Sequence, residues 1–171
     1  MIGLEKGVVR VVAHAAEWAR LFDVEKRRLQ DALGEYASAI EHVGSTSVEG
    51  LAAKPVIDIA VAVGDLSRVG ECVASLARLG YEHKGENGIP RREYFTKGQP
   101  RRTHHVHMVE AGGEIWRNYL RFRDRLRASP SLVAEYDALK RRLASEFPSN
   151  REAYTEAKSP FIRRVLDVPD A

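Results

Sequence analysis

The chain has 171 residues, 44% of them hydrophobic and 30% charged, which is enough for one domain with a real core and argues against a second full one. Its 27 Lys and Arg against 24 Asp and Glu leave a formal charge of +3, a mild excess that suits an anionic ligand but is too dispersed, and too poor in aromatic platforms, for nucleic acid. The single cysteine, Cys72, excludes an intrachain disulfide, and no run approaches the roughly 20 apolar residues of a membrane span, so the expectation is a soluble, cytoplasmic protein.

From Ala15 to Leu33 the residues Trp18, Leu21, Phe22, Leu29 and Leu33 recur at helical spacing and Gly34 follows, which predicts an amphipathic helix. A strand is predicted over about Ala37 to Val43, then a Gly-Ser turn, then a short helical turn in "VEGLAAK". Pro55 to Val63 carries Val56, Ile57, Ile59, Val61 and Val63, too uniformly apolar for a half-exposed strand, so it is expected at the centre of the sheet. Asp65 reads as an N-cap, and Leu66, Val69, Val73, Leu76 and Leu79 mark a helix closed by Gly80, with Cys72 as a packing residue. "RREYFTKG" and "RRTHHVHMVE" alternate as strands of a hairpin, and helical patterns then run over Ile115 to Ala128, Leu132 to Phe147 and Glu152 to Leu166. The whole chain reads as a single α/β domain, with a sheet core over about 36–110 and C-terminal helices over about 114–166.

The chemistry centres on "EHVGSTSVEGLAAKPVIDIAV", where a β-branched strand is interrupted by one carboxylate, Asp58. Gly44 permits a tight turn, and the hydroxyls of Ser45, Thr46 and Ser47 beside exposed backbone N–H groups are the ingredients of an anion-binding nest. If the next strand returns Asp58 to that nest, a bound phosphate and the carboxylate repel in a poorly solvated cleft, and Mg²⁺ is the natural bridge. The bland alternatives are an ordinary turn and a structural acid holding it shut.

"HVGSTSVEGLAAKPVIDI", "THHVHM", "FRDRLR", "YDALK" and "YTEAKSPFIRR", in this order, resemble the GrpB family nearly end to end, although Glu49 stands where that family usually has proline. More widely, the Gly-Ser turn before an acid-bearing strand is similar to the nucleotidyltransferase fold of the DNA polymerase beta superfamily. The resemblance implies a nucleotidyltransferase-like mixed sheet flanked by helices with a helical C-terminal tail, at times fused to dephospho-coenzyme A kinase. It settles no reaction.

One departure matters. The superfamily's catalytic strand usually reads acid-x-acid, whereas Asp58 is followed by Ile59 and Ala60. On a strand, His105 and His107 project to one face, about 7 Å apart, and His104 to the other, so an Asp58–His105–His107 metal set is expected to fill the gap. Such a mixed N/O set suits Mn or Zn better than Mg. Packing imidazoles on an edge strand are the alternative. Lys54 and Arg92 are placed to meet an anion at the sheet's end, and Lys97 reads as solvated surface charge. Of Arg121, Arg123, Arg125 and Arg127, Arg123 is the candidate to reach the cleft. Tyr136 with Lys140 reads as helix docking and Tyr154 with Lys158 as phosphate contact, each pair lying on one helix face.

These residues suggest an enzyme that binds a nucleotide or phosphorylated metabolite at Gly44, Ser45, Thr46, Lys54, Arg92, Arg123 and Lys158, with Asp58 and His107 catalytic and a divalent metal, Mg or Mn with Zn as the alternative, on Asp58, His105 and His107. The other readings are a phosphate-binding module without catalysis and a metal-dependent phosphoester hydrolase. The acceptor and the oligomeric state are not written in the sequence.

Overall fold

Period-two alternation along the strands divides the molecule into an oily side and a polar side. A computed structural model describes residues 1–169. The strands are β1 (Leu4–Glu5), β2 (Ala37–Val43), β3 (Ile57–Val63), β4 (Tyr81–His83), β5 (Arg92–Lys97), β6 (Arg101–Arg102) and β7 (His104–Glu110). The α-helices are α1 (Glu17–Leu33), α2 (Gly70–Arg78), α3 (Glu114–Ala128), α4 (Pro130–Glu146) and α5 (Arg151–Asp167). The main sheet runs β2-β3-β7-β5-β4, with β3 and β7 parallel and the other neighbours antiparallel, while β1 and β6 form a separate pair. β3 is interior, as its apolar run requires, although the middle position belongs to β7. Among the described residues no helix is long and apolar enough to cross a membrane.

On one face Ile57, Ile59, Val61 and Val63 of β3 join Val106 and Met108 of β7 and Phe95 of β5 under Trp18, Phe22, Leu29 and Leu33 of α1 and Cys72 and Leu76 of α2. Each such side chain contributes about 1.5–3 kcal/mol of burial, which is why α1 keeps the apolar stripe seen in its sequence. The intervening residues Asp58, Ala60 and Ala62 face the other way, towards α3, α4 and α5. Those helices hold one another through Phe122, Tyr136 and Phe161, with the last two rings stacked at 4.6 Å.

Three local expectations need correction. "VEGLAAK" forms no helix; the helical turn is a 3₁₀ turn over Ser45–Ser47, and the chain then runs extended so that Ala53 bridges Val12. The segment is held by tertiary partners instead, Ala52 donating its N–H to Asp137 at 2.8 Å and accepting from Lys140. The predicted helix from Leu66 begins as a 3₁₀ turn over Leu66–Arg68, with Asp65 accepting from the Ser67 amide at 2.9 Å, before α2 takes over. Lys97 is not surface charge: its ammonium lies 2.6 Å from Glu25 Oε1 on the α1 side, and Glu25, 2% exposed, also accepts from the Tyr81 hydroxyl at 2.9 Å. Burial would raise the Glu25 pKa, but these bonds and the nearby positive charge hold it below the ordinary value.

Lys97→Met leaves Glu25 buried without its ammonium partner and should cost about 3 kcal/mol. Urea denaturation at pH 7.5 measures it, and a loss within the scatter of a surface substitution would show the pair to be incidental.

Candidate functional site

Asp58 is the second residue of β3, paired with Val43 on one side and His105 on the other. Because β7 runs parallel in that register, both His105 and His107 turn to the same face and meet one oxygen of Asp58. His105 Nδ1 is 3.2 Å and His107 Nε2 3.0 Å from Asp58 Oδ1. Burial alone would raise the carboxyl's pKa, but the hydrogen bonds from both imidazoles outweigh it and hold Asp58 well below the usual carboxylate range. His105 is 4% exposed, and burial, opposed by Asp58, lowers its pKa to about 4, so it is a neutral ring donating through Nδ1. Its Nε2 has no protein partner.

The other Asp58 oxygen faces the Gly44 turn. Gly44 has φ +69°, and a methyl group there would stand 2.9 Å from Asp58 Oδ2. Glycine is needed twice over, for the left-handed backbone and for the close approach. Behind the turn, Thr46 is buried with its hydroxyl 2.9 Å from His42 Nε2, and His42 stacks on Phe22 of α1. The Ser47 hydroxyl donates to Gly44 O, and the Ser47 and Val48 amides bond to Gly44 and Ser45 carbonyls. Thr46 is therefore a brace, and the nest offers fewer free donors than its sequence suggests. Tyr136 from α4 lies near the Ser45 hydroxyl.

Between this polar face and the C-terminal helices lies a cleft of about 940 Å³, lined by seven Lys and Arg against three carboxylates. Gly44, Ser45, Thr46, Lys54, Asp58, Arg92, His105, His107 and Lys158 all line it. Arg123 does not: its guanidinium turns to Glu41 at 2.7 Å, His42 O at 3.1 Å and Asp124 at 2.7 Å, so it ties α3 to β2. Arg92, 5% exposed, holds the carbonyls of Glu86 and Asn87 at 3.1 and 3.0 Å and stands 3.4 Å from His107 Nδ1.

Opposite Asp58, the Tyr154 ring carries the Lys158 ammonium 4.5 Å and the Lys54 ammonium 5.3 Å from its centroid. Burial lowers the Lys54 pKa to about 7, with Lys158 and Arg151 pushing the same way. Lys158 falls to about 8 through burial, although Asp58 pulls it up, and buried Lys140 to about 6 through burial and Lys158. Lys140 does dock on the Ala52 carbonyl, as a helix-docking residue would, but it also lines the cleft.

A resident metal does not fit the Asp58–His105–His107 set. Both imidazoles are spent on the same carboxylate oxygen, the remaining His107 nitrogen faces a guanidinium, and the surrounding excess of lysine and arginine repels a bare divalent cation. Among the described residues no group of three or more His, Cys, Asp or Glu is disposed to hold one. The cleft also gathers Tyr94, Arg102, Tyr119 and Arg151, which the sequence reading missed. Tyr119 and Arg151 carry no local pattern. Tyr94 was legible as an alternate residue of β5, on the same face as His107.

The family model described as "GrpB protein" matches residues 8–168. The chain is 42% identical over 158 residues to the UPF0157 protein YqkA of Bacillus subtilis, covering 92% of this chain and 46% of that relative. It therefore spans about half of that protein's length. It is 38% identical over 172 residues to the glutamate-rich protein GrpB of Alkalihalophilus pseudofirmus, covering 98% and 99% of the two. A solved structure, the conserved protein GrpB from Enterococcus faecalis, superposes with TM-score 0.86 at 36% identity, covering 91% of this chain and 94% of that one. More distantly, a dephospho-CoA kinase of Mycolicibacterium paratuberculosis is 29% identical over 185 residues, through 46% of its own length.

Gly50 also has positive φ, +76°, but open space around it. Gly50→Ala should thus cost only the backbone penalty of about 1–2 kcal/mol. Gly44→Ala should cost more and displace the imidazole NMR signals of His105 and His107. Equal costs with unmoved signals would show that the turn does not lean on Asp58.

Proposed function

The chain belongs to the GrpB family, and on that footing we propose that its cleft binds a nucleotide or other phosphorylated small molecule and acts on it by group transfer, on a nucleotidyltransferase-like fold. The observation that carries this reading is the set of three cleft lysines, Lys54 and Lys158 over the Tyr154 ring and Lys140 over Tyr136. Burial lowers all three pKa values, to about 7, 8 and 6 in that order, with Lys158 pushing Lys54 and Lys140 down further and Arg151 doing so for Lys158. Gathering partly desolvated lysines destabilises a protein unless an anion completes the site. Charge-assisted bonds from ammonium and guanidinium groups to phosphate oxygens do this, and the cleft volume falls in the usual ligand range of about 300–1,000 Å³.

In this reading Lys54, Lys158 and Arg151 take up phosphate charge, and Asp58 with His107 forms the acid–base pair beside it. Asp58 orients the imidazole through Nε2; His107 meets the proton that moves. No step is assigned to a resident Mg, Mn or Zn ion, since the donor set disfavours one, and the same geometry weighs against a metal-dependent phosphoester hydrolase. The match through half of a protein named dephospho-CoA kinase agrees with a phosphorylated small molecule as the ligand class. One observation favours a second reading, a binding module without catalysis: β3 has Ala60 where a second acid of acid-x-acid would stand. The two readings part only at turnover.

Tripolyphosphate titrated calorimetrically at pH 7 should bind. Lys54→Gln and Lys158→Gln should each weaken it roughly tenfold, the worth of one charge-assisted bond. In the free protein Lys54 and Lys158 shed their protons as pH rises through about 7 and 8. Affinity should therefore decline from pH 7 to 9, with proton uptake on binding, even though tripolyphosphate itself gains negative charge over that range. Undetectable binding at millimolar ligand, or binding indifferent to both lysines, would reject the phosphate site.

A further inference from the structure

Tyr119 has no part in the binding scheme above, yet it sits at the end of a directed chain of polar contacts. It lies near the start of α3, its hydroxyl 3.2 Å from His107 Nδ1 and its ring centroid 5.1 Å from the imidazole. The opposite nitrogen, His107 Nε2, is 3.0 Å from Asp58 Oδ1. Arg92 stands 3.4 Å from that same Nδ1, and its positive charge favours the ionised form of the Tyr119 phenol.

The proton positions follow from the chemistry of these partners. A guanidinium has donors only, so the nitrogen it faces carries a lone pair. The imidazole proton is therefore on Nε2, given to the ionised Asp58, and the Tyr119 O–H donates to Nδ1. Burial raises the Tyr119 pKa, with Arg92 pulling the other way, so the phenol holds its proton at neutral pH. Hydroxyl, base and orienting carboxylate thus stand in the order that activates a nucleophile. Among the described tyrosines of the cleft, Tyr94 lies near Arg151, Tyr136 stacks on Phe161, and Tyr154 is flanked by two ammonium groups. Tyr119 is the one whose hydroxyl meets an imidazole.

We propose that Tyr119 is a catalytic nucleophile that accepts a phosphoryl or nucleotidyl group from a phosphoric anhydride bound in the cleft. Its Oη–H bond breaks and the proton passes to His107 Nδ1. An Oη–P bond forms as the anhydride P–O bond breaks, and the leaving phosphate departs with that electron pair. Asp58 stabilises the resulting imidazolium, and Arg92 stabilises negative charge developing on the phenol oxygen. The product is a tyrosyl phosphoester on α3, and no oxidant, reductant or resident metal is required. This step rests on the cleft being a phosphate site.

A fluorophosphonate probe tests it without knowledge of the natural donor, since attack at its phosphorus forms the same Oη–P bond and expels fluoride. Peptide mass spectrometry of the full chain should find the label on Tyr119 far ahead of Tyr36, an internal reference that needs no variant. Tyr119→Phe should lose the label while keeping its circular dichroism, and His107→Gln should slow labelling about a hundredfold, the size of a general-base effect. Tripolyphosphate should protect. Labelling of Tyr119 no faster than Tyr36, or undiminished in His107→Gln, overturns the nucleophile. If tripolyphosphate binds while Tyr119 stays unlabelled, only this step falls; if it neither binds nor protects, the phosphate reading falls with it.

Discussion

An ionised carboxylate is held inside a sheet because two imidazoles on the neighbouring strand share one of its oxygens and a glycine turn closes over the other. Desolvation alone would raise the Asp58 pKa, and the donors placed by the parallel β3–β7 register outweigh it. The rest of the layout follows from that constraint. One face of the sheet must be polar, so the opposite face carries the apolar packing against α1 and α2. The polar face is covered by α3, α4 and α5, which leave the cleft between themselves and the sheet.

The two faces also differ in how far their charges are balanced. On the α1 side Lys97 and Glu25 meet at 2.6 Å with Tyr81 alongside, so opposite charges are paired there. On the cleft side positive charge is in excess, His105 Nε2 lacks a protein partner, and three lysines have depressed pKa values. Such imbalance lowers the stability of the empty protein, and proteins tolerate it where a ligand restores the balance. Arg123 and Arg92 make the same contrast within one residue type. The first is satisfied between Glu41 and Asp124; the second is turned by the carbonyls of Glu86 and Asn87 towards an imidazole.

Much was legible in the sequence wherever the cause is local. The Trp18-to-Leu33 stripe can bury its apolar residues only as a helix, and the β-branched run after Pro55 only as an interior strand. Two-residue alternation put His105 and His107 on one face and His104 on the other before any coordinates. The Gly-Ser turn and the acid that the fold packs against it were both legible. Each of these is a matter of backbone period or turn sterics, which a dozen residues determine among themselves.

What the tertiary structure decided is which partner each polar group meets. Asp58 finds its imidazoles 47 and 49 residues further along, and Arg123 finds Glu41 at a separation of 82, distances over which no periodicity survives. A charged residue on a helix or strand is compatible with solvent, a salt bridge or a ligand alike, and packing alone chooses, which is why Lys97, Thr46 and Arg123 read differently in the chain and in the fold. Tyr119 acquires its meaning only when α3 crosses β7, because the proton on a phenol is defined by the acceptor beside it and not by its neighbours in sequence.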